Sequence, residues 1–331
     1  MTTLSICMIV RNEQKNLPRF FKSIQGLADE IIVVDTGSKD RTKQIVAREP
    51  KAKLLEMKWD NDFSKARNVS LQAATKEWIL VLDPDEKVED HREIRSLLGE
   101  SGKAAFHIKI RNMQPKGSLT QFEDSYLIRL FRNQPYHRFV GRIHEQISPS
   151  IHAENGEVGL SQAMIVHYGY IDDKVQGNQS RRARNLALLQ KELTDNPTDF
   201  YYLFHMGLAH KVIDTDEAKK FFEQSLSHGK KQDMPEQIEE QIHMRLAQIA
   251  LEEYDNGQAI LHAKKSLAIN PMNLISRVCL VTSQIGAHAF VQAIPNLKLV
   301  LAQGKNKLPN PQDFERMLVL CQQQVVKSQS N

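Results

Sequence analysis

The chain has 331 residues, with 44 Lys+Arg against 40 Asp+Glu for a formal charge of +4. One hydrophobic core rarely grows past roughly 250–300 residues, so at least two domains are expected. Hydrophobic residues at 41% and charged ones at 25% describe a soluble globular protein and exclude wholesale disorder and fibrous architectures. No long basic stripe is present, which argues against nucleic-acid binding. Cys7, Cys279 and Cys321 are odd in number and far apart, without CxxC spacing, and read as reduced core residues. The first residues lack a basic region ahead of an apolar stretch, and no window approaches the roughly 20 apolar residues of a membrane helix. A cytoplasmic protein without a transmembrane segment is expected; peripheral membrane contact stays open.

Short β-branched runs alternate with amphipathic stretches through the first half: Leu4–Val10, Leu17–Leu27, Glu30–Asp35, Arg41–Arg48, Ala52–Trp59, Phe63–Ala74 and Trp78–Asp83. This rhythm predicts βαβ units and a largely parallel sheet. Ile31–Val34 and Ile79–Leu82 are apolar at consecutive positions, as in strands covered on both faces. Phe106–Ile110, Tyr126–Phe131 and Met164–Tyr168, separated by Gly, Pro and Asn, add a mixed region with long loops.

From about Asn178 the strands stop. Phe200–Lys211 with Asp216–Ser227 predicts one helix pair, and Gln237–Tyr254 with Gln258–Ile269, closed by Pro271, a second. Ala247, Ala259 and Ala268 in the second pair, echoed by Gly207 and Ala218 in the first, fit the tetratricopeptide spacing of about 34 residues, in which small side chains let helices approach closely. A third, degenerate pair is expected at Leu274–Ile285 and Phe290–Leu301, with Phe314–Val326 as a polar-faced cap. The expected division is 1–175 and 176–331.

Ligands of open α/β sheets bind beyond the carboxyl ends of the strands. Arg11-Asn12-Glu13 follows the first strand, Asp35-Thr36-Gly37-Ser38 ends the second, and Asp83-Pro84-Asp85-Glu86 follows the fourth. Three acids so close together repel one another unless a cation or a set of donors sits between them, and a divalent ion shared with substrate phosphates meets that need. Neither GxGxxG after a strand nor a Walker lysine motif is present.

These residues carry a resemblance. Ser5–Glu13, Ile32–Thr42, Ala66-Arg67-Asn68 and Leu82-Asp83-Pro84-Asp85 closely resemble the successive motifs of family 2 inverting glycosyltransferases of the GT-A fold. Leu130-Phe131-Arg132-Asn133, Gly141-Arg142-Ile143-His144-Glu145 and Val166-His167-Tyr168-Gly169-Tyr170 are similar to a subgroup with tetratricopeptide helices behind the catalytic domain, which includes peptide S-glycosyltransferases. The resemblance implies a GT-A α/β domain with a mixed, mainly parallel sheet, followed by an all-α TPR-like domain. It further implies that Asp35 accepts a hydrogen bond from the nucleotide base, and that Arg11 and Glu13 border base and ribose. Asp83 would face ribose and metal, with Asp85 and His167 as further ligands of Mn²⁺ or Mg²⁺. Arg67 would add positive charge at the diphosphate, Glu145 would act as the catalytic base, and His144 would orient it or contact the acceptor. The implied activity moves a sugar from a nucleoside-diphosphate donor, a UDP-sugar in the first instance, to a peptide, protein or cell-envelope saccharide. A homodimer through the helical domain is compatible with this layout. Asp-Pro-Asp stands where many members have Asp-Ala-Asp, which stiffens the turn and removes no ligand. The alternative is an inactive scaffold binding peptides or proteins through its repeats; intact Asp83, Asp85 and Glu145 argue against it. A nucleotidyltransferase is disfavoured by the missing Gly-rich phosphate loop.

Overall fold

The computed structural model describes residues 2–115, 118, 121–169, 175–304, 308 and 310–329. Tyr170 of the last motif and the 173–174 region before the expected division lie outside them. The chain forms two compact units, the first comprising Met1–Pro115 with Phe122–Ser180, the second built on Arg181–Asn331.

In the first unit, β1 (Leu4–Val10), β2 (Glu30–Asp35), β3 (Ala52–Glu56) and β4 (Trp78–Val81) alternate with α1 (Leu17–Ser23), α2 (Thr42–Val46) and α3 (Phe63–Ala73). There follow β5 (Glu86–Val88), α4 (His91–Leu97), β6 (Ala105–Met113), β7 (Phe122–Arg132), α5 (Ser148–Ala153) and β8 (Val158–His167). Among the described residues one eight-stranded sheet runs β3-β2-β1-β4-β7-β6-β8-β5. The first four strands are parallel, β7 is antiparallel to β4 and β6, β8 is parallel to β6, and β5 is antiparallel to β8. This is the mixed, mainly parallel GT-A-like sheet the sequence predicts.

The consecutive apolar runs feed both faces, because successive side chains of a strand point to opposite sides. Ile6, Met8, Ile31, Val33 and Leu80 pack with Phe20 of α1, with Ile24 just after that helix, and with Ile94 of α4. Cys7, Ile32, Ile79 and Val81 pack with Leu71 of α3 and with Phe131, Phe139 and Ile147. Asp62 caps α3 by accepting the Lys65 N–H, and Asp90 caps α4 through Arg92 and Glu93. All three cysteines are buried thiols.

In the second unit, α6 (Val175–Asp195), whose start belongs to the first, precedes α7 (Phe200–His210), α8 (Thr215–Gly229), α9 (Glu236–Glu252) and α10 (Asn256–Ile269). The series continues with α11 (Leu274–Gly286), α12 (Phe290–Gly304) and α13 (Pro311–Gln329). Close helix approach rests on small residues as expected: Ala218, Ala247 and Ala259 are fully buried, and a Cβ on Gly207 would lie 2.6 Å from the Phe222 ring. Ala268 departs from the expectation. It is exposed, and Ala263, one helical turn and a residue earlier, occupies the buried stripe instead. The face expected to be a polar cap on α13 is interrupted by exposed Val319, Leu320 and Val326. Among the described residues no helix is long and apolar enough to cross a membrane.

Candidate active site

The β1 and β2 ends are laced together. Asn12 takes a left-handed conformation (φ 59°), its N–H donates to Ser38 Oγ at 2.8 Å, and its side-chain oxygen accepts the Lys39 N–H at 2.8 Å. The Glu13 N–H donates to Thr42 Oγ1 at 2.7 Å. Arg11 stands exposed beside this frame, and Glu13 is half-buried. Asp35 is only 1% exposed; its Oδ1 accepts the N–H groups of Gly37 (2.9 Å) and Ser38 (2.8 Å). Its Oδ2 is buried and has no hydrogen-bond partner among the described residues. A buried acceptor left open costs free energy unless a ligand supplies the donor.

The turn after β4 holds the acidic run. Glu86 N–H donates to the Asp83 carbonyl at 3.0 Å, and Asp83 N–H donates to Glu86 Oε2 at 2.8 Å. Two arginines flank Asp83: Arg67 Nη2 on Oδ1 at 2.9 Å, and Arg129 Nη2 on Oδ2 at 3.4 Å. Arg129 also reaches Glu86 Oε1 at 2.8 Å. Burial alone would raise the Asp83 pKa, but the two guanidinium charges outweigh it and hold the group ionised well below the usual carboxylate range. Glu86, buried and close to the Asp83 charge, is raised to about 7 despite Arg129.

Glu145 sits at the end of a loop closed by reciprocal backbone hydrogen bonds between Val140 and Gln146 (3.0 and 2.9 Å). Gly141 (φ 97°) and His144 (φ 53°) both take left-handed conformations inside it, so the glycine here answers a real backbone need. Glu145 Oε1 accepts from Arg67 Nε at 2.5 Å, with both side chains only 10% exposed. His144 is pushed down to about 4 by burial and is neutral at neutral pH.

A divalent cation is tested by the donors present. Asp85 Oδ2 lies 3.3 Å from His167 Nε2, and His167 Nδ1 is 2.9 Å from Asn112 Oδ1. With Asn112 taking the proton at Nδ1, Nε2 is the nitrogen presented beside Asp85. Burial would lower the His167 pKa, but its hydrogen bond to Asp85 and the charges of Asp85, Glu86 and Asp83 raise it, so this spot favours positive charge. A Cβ on Gly169 would fall 2.5 Å from Asp85 Oδ2 and 2.6 Å from His167 Nε2, so the missing side chain keeps the space before both donors open. Among the described residues no group of three His, Cys, Asp or Glu is spaced to hold a metal, because Asp83 is turned to its arginines. Two protein donors with remaining positions for phosphate oxygens and water still fit Mg²⁺ or Mn²⁺.

The structure thus brings Arg67, Asp83 and Glu145 together and pairs Asp85 with His167. The Arg67 guanidinium, expected beside a diphosphate, spends two nitrogens on Glu145 and Asp83, while Nη1 is buried without a hydrogen-bond partner among the described residues. Two residues escaped the sequence reading, Arg129 and Asn112. Glu86 is the last acid of the run read after β4, whereas Arg129 lies inside β7 and Asn112 near the end of β6, with nothing local to mark them.

Residues 5–134 match the family described as Glycosyl transferase family 2. The chain is 38% identical over 239 residues to a TPR repeat-containing protein of Synechococcus elongatus, covering 70% of this chain and 58% of that protein. It is 29% identical over 238 residues to the SPbeta prophage-derived glycosyltransferase SunS of Bacillus subtilis, covering 69% of this chain and 54% of that protein. The chain therefore spans little more than half the length of these relatives. A solved structure of S. aureus TarS in complex with UDP-GlcNAc aligns with 81% of this chain and 91% of that one, at 13% identity and a TM-score of 0.42. The match to the glycosyl transferase family 2 model spans β1 to β7, whose strand ends gather these charged groups.

Proposed function

We propose that the chain is a metal-dependent inverting glycosyltransferase, working in the cytoplasm, with residues 1–175 as catalytic domain and 176–331 as helical repeat domain. It moves one sugar from a nucleoside-diphosphate sugar, of the UDP type, to a peptide, protein or cell-envelope saccharide. The observation that carries this reading is the linkage of Glu145 to Asp83 through one buried arginine, next to the Asp85–His167 pair. A base candidate and a set of cation-favouring donors are what inverting transfer requires.

In this reading Asp35 Oδ2, unpaired among the described residues, accepts from the nucleobase, and Arg11 and Glu13 border base and ribose. Asp83 faces the ribose on the metal side, while Asp85 and His167 hold Mn²⁺ or Mg²⁺. The bound ion supplies Lewis-acid neutralisation of the departing diphosphate. Glu145 takes the proton from the acceptor on the face opposite the leaving group, and neutral His144 next to it in the chain orients Glu145 or contacts the acceptor without competing charge.

The test is a screen of UDP- and GDP-sugars by thermal shift with Mn²⁺ present. A donor at a hundred times its Kd stabilises by about 2.7 kcal/mol, enough to read. Slow hydrolysis of the same donor is expected. Absence of both binding and hydrolysis across all such sugars overturns the reading.

A further inference from the structure

Asp83 and Glu145 come from separate elements, the turn after β4 and the loop after β7, yet one side chain spans them. Arg67 donates from Nε to Glu145 Oε1 (2.5 Å) and from Nη2 to Asp83 Oδ1 (2.9 Å). Its helix, α3, clamps the Glu145 segment at two further points. Phe63 N–H donates to the Arg142 carbonyl at 2.9 Å, and Asn68 pairs with the Phe139 backbone through both its amide oxygen and nitrogen, each at 2.9 Å. On the far side of Asp83, Arg129 bridges to Glu86, whose other oxygen accepts the Asp83 N–H. The order is a ladder of alternating charge: Glu145, Arg67, Asp83, Arg129, Glu86.

We propose that Arg67 is a positioning residue that fixes Glu145 relative to Asp83, and so to the donor, while Arg129 and Glu86 brace Asp83 from behind. The inference rests on reading Glu145 as the base and Asp83 as a donor-side group. A guanidinium is a planar fork that meets two acceptors at a set angle, whereas an ammonium is a point charge that satisfies one and leaves the other to drift. Displacing a reacting group by about 1 Å costs on the order of 10²-fold in rate.

The experiment compares the full chain with Arg67→Lys, Glu145→Gln and the double variant. It follows donor turnover with Mn²⁺, UDP affinity and the urea midpoint. Arg67→Lys is expected to lower kcat by about 10²-fold while donor KM and UDP affinity stay within about threefold, and the double variant to be no slower than Glu145→Gln alone. Losses that multiply in the double variant, or UDP affinity falling in step with kcat, overturn the proposal; the second result would make Arg67 a direct diphosphate contact. The urea midpoints give the same decision without activity: non-additive shifts uphold the link and additive shifts overturn it. A wild-type chain that binds no nucleotide sugar, with non-additive midpoints, sinks the transferase reading and upholds the hold of Arg67 on Glu145. Should Arg67→Lys fail to fold, Arg129→Lys is expected to lower kcat at unchanged UDP affinity, and an unchanged kcat overturns the brace.

Discussion

Glu145→Gln separates chemistry from binding. The amide is nearly isosteric, and its oxygen can still accept from Arg67 Nε, now 2.5 Å from the carboxylate. What is lost is the charge and the capacity to take a proton. A positioned general base contributes about 10²–10⁴ in rate, or roughly 3–5 kcal/mol of barrier at 1.36 kcal/mol per tenfold. The pair is only 10% exposed on each side, so solvent screening is slight and exchanging a charged hydrogen bond for a neutral one should cost about 1 kcal/mol of stability. Turnover of the donor found in the screen should therefore fall by at least about 10²-fold, with the urea midpoint slightly lowered and UDP affinity within about threefold. Turnover within about fivefold of wild type would refute the assignment of Glu145 as base. Asp124, held by Arg111 in two hydrogen bonds of 2.9 Å, would then be the next acid to substitute.

Gly169→Ala should lower Mn²⁺ affinity by about 10–100-fold in a calorimetric titration, since its methyl would crowd Asp85 Oδ2 and His167 Nε2; unchanged affinity would move the metal elsewhere. Phe222→Ala, which empties a fully buried ring site against Gly207 and Phe204, should cost about 3–5 kcal/mol in urea unfolding followed by circular dichroism. A loss below about 1 kcal/mol would mean that the α7–α8 contact is not tightly packed. His243, buried with its Nδ1 3.0 Å from His262 Nδ1, is lowered to about 4, first by burial and then by neighbouring His262 and Lys265. Because the folded pKa lies below the ordinary value near 6.5, its contribution is complete above about pH 6.5 and is lost as pH falls toward 4, by up to about 3 kcal/mol. His243→Phe should flatten that part of the pH profile, and identical profiles for the two proteins would show that His243 does not titrate there.

The strand ends were legible because each is marked locally. Leu4–Val10 and Glu30–Asp35 stand in the structure with the bounds their apolar runs predict, and the polar residues that follow them do lie at the carboxyl edge. Three short elements were not: β5 has three residues and α4 and α5 seven and six, and none of them sits in the regular strand–helix alternation that marked the equally short α1 and α2. Ala268 shows a second limit, inside a helix. Spacing alone cannot fix which of two small residues faces the neighbour, and packing selected Ala263.

Sequence by itself determined the strand–helix rhythm, the change to paired helices after the sheet, and which carboxylates gather beyond the parallel strands, since propensity, periodicity and motif order act over a few residues. Tertiary structure alone decided the partners of those charges. Arg67 is 78 residues from Glu145 and 16 from Asp83, and Arg129 is 46 from Asp83. Whether an arginine faces solvent, a phosphate or two carboxylates depends on which elements the fold brings within 3 Å, and burial then makes leaving any of them unpaired too costly.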